Sequence, residues 1–188
     1  MTIQEILNKL SAGNKRFAND QLNSDLQGSS RRKSIISSQK PFATILGCAD
    51  SRIVPELIFD TGLGELFVVR VAGNVANKSS VASIEYAVAH LNTKVIIVLG
   101  HQNCGAVTAA LKGGDNGENL NHLLSHLTPA ISALAKTATI NDVAKKNAEL
   151  TANELSTKST IIKNAVDNGD VIIVPAYYDM DSGKVDFG

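Results

Sequence analysis

Tryptophan is absent from the 188 residues, aromatic side chains make up 4% of them, and cysteine occurs twice. With so few large rings, the core must come from Ala, Val, Ile and Leu, and the 44% apolar content with 14 glycines suits a compact α/β protein. Two cysteines are too few for a disulfide scaffold, and they read as free or metal-bound thiols of a reducing compartment. Positive and negative charges cancel, so no whole-chain field favours nucleic acid or a membrane surface. No apolar run approaches the ~18 residues of a membrane span. The first residues lack a basic stretch followed by an apolar block, so a cytoplasmic location is expected. There is no internal repeat and no low-complexity segment, and the length suits one domain over residues 1–188.

The stretch Val95-Ile96-Ile97-Val98-Leu99-Gly100-His101-Gln102-Asn103-Cys104-Gly105 organises the rest. Five consecutive apolar residues read as a strand buried on both faces, as in the centre of a parallel sheet. A small-residue segment suited to a helix follows Gly105. His101 and Cys104 thus lie where a strand hands over to a helix, the place where open α/β sheets bind ligands. Upstream, Phe42 to Gly47 reads as another short strand and ends in Cys48-Ala49-Asp50-Ser51-Arg52. Cys48, His101 and Cys104 together offer two thiolates and one imidazole, the ligand count of a catalytic zinc site with one position left for water or substrate.

The remaining chain reads as an alternation of helices and strands. Thr2 and Glu5 form a capping box ahead of Ile3, Ile6, Leu7, Leu10 and Phe17 at helical spacing. Asn19 to Lys40 is polar, and its Arg31-Arg32-Lys33 cluster reads as a solvated charge run. Residues 1–40 are therefore expected to be an N-terminal helix and polar arm, and residues 41–188 an α/β body. Gly62-x-Gly64 precedes a strand rather than following one, which excludes a dinucleotide loop. Glu65 to Val71 reads as a strand and Val81, Ile84, Val88 and Leu91 as a helical stripe. Helical patterns, with Asn141 as an N-cap, then run to Asn168-Gly169. Asp170 to Tyr178 reads as a fourth strand, and the tail after Asp181-Ser182-Gly183-Lys184 suits an edge strand. The expected fold is a central, mostly parallel sheet of about four strands flanked by helices. His90, His122 and His126 fall within helical patterns. His122 and His126 have the i, i+4 spacing of a metal pair but no carboxylate or Cys nearby in sequence.

Cys-x-Asp-x-Arg after one strand and His-x-x-Cys-Gly after a later one resemble the β-class carbonic anhydrases. Arg70-Val71-Ala72-Gly73-Asn74 and Ala176-Tyr177-Tyr178-Asp179 extend the resemblance over most of the chain. It implies one zinc ion per chain on Cys48, His101 and Cys104, and reversible hydration of CO2 to bicarbonate and a proton through zinc-bound hydroxide. It implies that Asp50 and Arg52 act as a dyad orienting that hydroxide. Asp50 must be ionised for this, and Arg52 favours the ionised form. Asp50 swung onto the metal would instead close the site, and the sequence leaves both arrangements open. By the same resemblance a backbone amide near Gly105 holds a product oxygen, Gln39 contacts substrate, and Phe67 and Tyr86 line the apolar side of the pocket; core packing explains those two rings equally well.

Other readings of these motifs remain. A CS2 or COS hydrolase of this fold would share every zinc motif, and a non-catalytic zinc protein would have Asp50 as its fourth ligand. A hydrolase using Cys48 as a nucleophile is more distant. An amphipathic helix beyond a polar linker must cover its apolar face against its own body or a neighbour. A homodimer, or a larger assembly of dimers, is expected from that face, with small-molecule substrate and neither nucleic acid nor membrane as partner.

Overall fold

Strand β3 (Val95–His101) is buried along its whole length, because parallel neighbours flank it and helices cover both faces. The computed structural model describes residues 1–23 and 26–188; Ser24 and Asp25 of the polar arm lie outside the described residues. Around β3 stand β1 (Ala43–Gly47), β2 (Leu66–Arg70), β4 (Ile172–Tyr178) and β5 (Val185–Phe187). The sheet order is β2-β1-β3-β4-β5, parallel except for antiparallel β5 on β4. The expected parallel sheet and its edge strand are thus both present. The chain leaves β1 outward to β2 and returns on the other side to β3. The reversal of strand order therefore falls between β1 and β3, which opens a crevice at their carboxyl ends.

Alternation along the strands divides the core into two layers. Ile45, Ile97 and Leu99 face α1 (Ile3–Ala18) and α3 (Pro55–Ile58), meeting Ile6, Leu10, Ile58 and Phe59. Leu46, Ile96 and Val98 face the other way, toward α4 (Lys78–Leu91), α8 (Ile140–Lys158) and α9 (Thr160–Asp167). A third cluster, with Val107, Leu124, Leu127 and Val143, closes around Cys48 and Cys104 at the carboxyl end of the sheet. It draws on α5 (Gly105–Lys112), α6 (Glu118–Ser125) and α7 (Thr128–Ser132). No helix among the described residues is long and apolar enough to cross a membrane.

Three expectations need correction. Helix α1 opens on the Thr2–Glu5 capping box, but its apolar stripe seats on its own sheet rather than awaiting a second copy. Ile6 and Leu10 are 2% and 0% exposed, and Asn14 ties the helix to the Ile58 and Gly183 carbonyls and the Val185 amide. The polar arm holds a short helix, α2 (Ser29–Ser34). The N-cap of α8 is Thr139 rather than Asn141, because Asp142 at the third position completes a capping box with Thr139.

Gly13 makes the close seating of α1 possible. A Cβ there would lie 1.9 Å from the Phe59 carbonyl oxygen. Alanine in place of glycine inside a helix ordinarily stabilises by up to ~1 kcal/mol. Gly13→Ala is expected to do the opposite, lowering stability by ~1–3 kcal/mol through forced displacement of α1, read as a lower urea midpoint with unchanged slope.

Candidate metal centre

The register of β1 on its neighbours brings the candidate ligands together. Gly47 pairs with Arg70 on one side and Leu99 on the other, so Cys48 emerges beside the last residues of β3. Beyond His101 the chain turns through Asn103 in the left-handed region (φ 52°), and Cys104 becomes the N-cap of α5. The Cys48 and Cys104 sulfurs and an imidazole nitrogen of His101 all lie within 4.8 Å of one another, and all three residues are buried.

Each ligand atom is oriented by the backbone. Cys48 Sγ accepts from the Asp50 amide at 3.4 Å and the Gly73 amide at 3.3 Å. Gly73 reaches this position with φ 68°, a conformation suited to glycine, and Asn147 Nδ2 donates to its carbonyl at 2.8 Å. The Ala106 and Val107 amides, in the first turn of α5, are directed at Cys104 Sγ, where helix-terminal N–H groups favour a thiolate. His101 Nδ1 lies 2.9 Å from the Gln102 carbonyl. A carbonyl only accepts, so Nδ1 carries the proton and Nε2 the lone pair.

Two features show that these residues suit a metal ion. His101 Nε2 is buried with no hydrogen-bond partner, an arrangement that costs free energy unless something ligates the atom. The two thiols also compete for one proton. The Cys104 hydrogen bond pulls the Cys48 thiol far down, and the same contact, with burial, pushes the Cys104 thiol up. A divalent cation lets both ionise. Sulfur and imidazole donors together match a borderline-soft ion.

Asp50 is held away from this group. Arg52 Nε and Nη2 donate to its two carboxylate oxygens at 2.9 and 2.7 Å, and the Arg52 amide adds a third bond at 3.0 Å. The Arg52 guanidinium keeps the carboxyl far below the usual carboxylate range. Arg52 Nη2 also reaches the Asn103 carbonyl at 3.2 Å, joining the Cys48 loop to the His101–Cys104 loop. Gly105, at the start of α5, is exposed, and a Cβ built on it would meet nothing within 4 Å.

A family model described as carbonic anhydrase matches residues 43–185. The chain belongs to the β-class carbonic anhydrase family. It is 37% identical over 183 residues to a carbonic anhydrase of Mycolicibacterium smegmatis, covering 94% of this chain and 89% of the relative. A Coccomyxa β-carbonic anhydrase solved with acetazolamide superposes with a TM-score of 0.77 at 26% identity, over 99% of this chain and 86% of that one. One of two tetrameric β-carbonic anhydrases of Sordaria macrospora gives 0.76 at 25% identity, over 98% and 94%.

Gln39 stands apart from the metal group within one chain. It is exposed and precedes β1, whose opposite end carries Cys48; five strand residues separate the two ends by ~16 Å. Phe67 and Tyr86 pair at 6.3 Å, with His90 against Tyr86 at 5.1 Å, on the β2–α4 side of the sheet. Sequence reasoning gave no site role to Arg70 or Gln102 and read Asn141 only as a helix N-cap. Arg70 donates to the Cys48 and Asp50 carbonyls at 2.9 and 2.6 Å, and Asn141 Oδ1 accepts from the Asn103 amide at 2.9 Å. Gln102 docks in the turn after β4: its Oε1 accepts from the Met180 and Asp181 amides, and Nε2 donates to Asp181 at 2.7 Å. Only the place of Arg70 in a quoted motif signalled any of this.

Gln102 thereby fixes the carbonyl that holds His101 Nδ1. Gln102→Ala keeps the carbonyl and the bond from its amide to the Tyr178 carbonyl but loses the side-chain ties to the turn. Metal affinity is expected to fall ~10-fold, the low end of losses for groups supporting a ligand; competition with a chromophoric chelator reads it.

Proposed function

We propose that the chain is a zinc-dependent carbonic anhydrase catalysing the reversible hydration of CO2 to bicarbonate and a proton. The convergence of Cys48, His101 and Cys104 in a buried group, with Asp50 held on Arg52, carries the proposal. Those three residues would hold one zinc ion per chain. When bound, the ion supplies Lewis acidity that makes water a usable nucleophile, less strongly than at a three-histidine site because two thiolates cancel its formal charge. Asp50 supplies an ionised acceptor that orients the attacking oxygen by taking its proton in a hydrogen bond. Arg52 keeps that carboxylate ionised and fixed, and Arg70 holds the loop that carries it. The Ala106 and Val107 amides are taken by Cys104 Sγ, and the amide of Gly105, the residue the resemblance points to, would hold a developing oxyanion. The hydrogen bonds of Asp50 favour a working site over a closed one with Asp50 on the metal.

Cys104→Ser is expected to lose metal and activity together. Asp50→Asn is expected to keep stoichiometric zinc while its CO2-hydration rate falls ~10²-fold. The parent rate is expected to rise from neutral to alkaline pH. Stopped-flow hydration with metal content measured alongside checks all three. An Asp50→Asn variant as fast as the parent removes the dyad from the reaction, and COS turnover exceeding CO2 turnover would favour the hydrolase reading.

The working form is proposed to be a homodimer or an assembly of dimers. Similarity to the Sordaria proteins described as tetrameric supports this, as does the β2 side of the sheet. There β2 is an edge strand, and Tyr86 is 47% exposed beside Phe67. Gln39, far from the metal group of its own chain, would serve substrate only across such a contact. Tyr86→Glu is expected to shift sedimentation toward a smaller species; an unchanged profile would place the contact elsewhere.

A further inference from the structure

Cys48 and Cys104 are the two cysteines of the chain, and the fold makes them neighbours of each other as well as of His101. β1 and β3 are adjacent parallel strands with Gly47 paired to Leu99, so both thiols stand just past neighbouring strand ends. Their sulfurs lie within 4.8 Å, and the two side chains share a hydrogen bond. Both are free thiols, 3% and 1% exposed, in an apolar cluster with Val75, Val107, Leu127 and Tyr177. Two sulfurs in such contact can act as two metal ligands or as the halves of one disulfide, and the second use removes the first.

A disulfide brings its sulfurs to about 2.05 Å. The closure falls on the loops after β1 and β3 rather than on the strands, and loops yield more readily than a core packed on both faces. Burial keeps bulky oxidants out. The function proposed above already requires a three-atom substrate to reach this group, so an oxidant as small as hydrogen peroxide has the same route. A sulfenic acid formed on one sulfur would have the other cysteine in contact with it, which favours condensation over attack by a second peroxide.

We propose, building on the metal reading above, that Cys48 and Cys104 form a reversible redox switch, joined by peroxide in an intrachain disulfide that excludes the metal. In the first step one sulfur takes an oxygen atom as the O–O bond breaks, giving a sulfenic acid and one water. In the second the other sulfur attacks it, the S–O bond breaks, and the oxygen leaves as a second water. Two thiols are oxidised by two electrons and one peroxide is reduced. A dithiol reductant reverses this by exchange, becoming a cyclic disulfide as both thiols return. In the oxidised chain His101 Nε2 is the one donor left of the three, which is too few to hold an ion.

The test starts from the purified, zinc-loaded full chain, treated with hydrogen peroxide beside a chromophoric chelator. Zinc is expected to pass to the chelator faster than with chelator alone. Free thiols are expected to fall from two per chain to none, with the intact mass lower by two hydrogen atoms and a peptide map joining Cys48 to Cys104. A dithiol reductant is expected to restore both thiols and zinc uptake. Cys104→Ser, lacking the second sulfur, is expected to gain oxygen atoms on Cys48 instead. A parent that gains oxygen irreversibly, links cysteines between two chains, or keeps both thiols at doses that oxidise free cysteine would overturn the switch. A chain that purifies without zinc, takes up none and still forms the reversible bond would overturn the metal reading and sustain the disulfide; bound zinc with irreversible oxidation would do the reverse.

Discussion

Everything at the carboxyl end of this sheet depends on the parallel register of β1 between β2 and β3. Gly47 faces Arg70 on one side and Leu99 on the other. A one-residue slip would turn Cys48 toward the opposite face and leave His101 and Cys104 without it. The register is secured by the two-layer core, since Ile45 and Leu46 point to opposite faces and each meets a different set of helices. Apolar packing in the middle of the sheet thus fixes the position of polar atoms at its end. A buried imidazole nitrogen with no partner and two thiols competing for a proton are unfavourable in isolation. They persist because the core that sets them there is worth more than they cost.

The loops turn that coarse placement into orientation. Gly73 and Asn103 hold positive φ so that the backbone reaches inward, and peptide groups do most of the aiming. Amides point at both sulfurs, and a carbonyl takes the His101 proton. Arg52 and Arg70 then bind the loops to one another through carbonyls rather than through ion pairs alone. Guanidinium groups suit this because one planar fork serves several acceptors at once. Lysine at either position would supply charge without the bridge.

How much of this was legible in the sequence follows from the range of the forces involved. The strands at 42–47, 65–71, 95–100 and 170–178 were visible because apolar runs ending in glycine or turn residues are local signals, and the ligands were visible because the motifs sit at those ends. The docking of α1 was not. Its stripe is the same whether it meets its own sheet or a neighbour, and the deciding contact, Gly13 against Phe59, joins residues far apart in sequence. Thr139 and Asn141 are both good cap residues; Asp142 three positions after Thr139 decides between them. Gln102 looked like a spacer within His-x-x-Cys, because its partners, Met180 and Asp181, come from the other end of the chain.

Asp50 stands between Arg52 and the residues that would hold a metal ion, and its hydrogen bonds place it on Arg52. On Arg52 it keeps two short charge-assisted bonds and a backbone amide, a bidentate arrangement of the strong kind. Moving to the ligand group would break all three and leave Arg52 with only the Asn103 carbonyl. It would also add a third negative charge beside two thiolates that already neutralise a divalent ion. Coulomb energy therefore opposes the move at the destination while hydrogen bonding opposes it at the origin. Asp50 rests on Arg52 because both costs have the same sign.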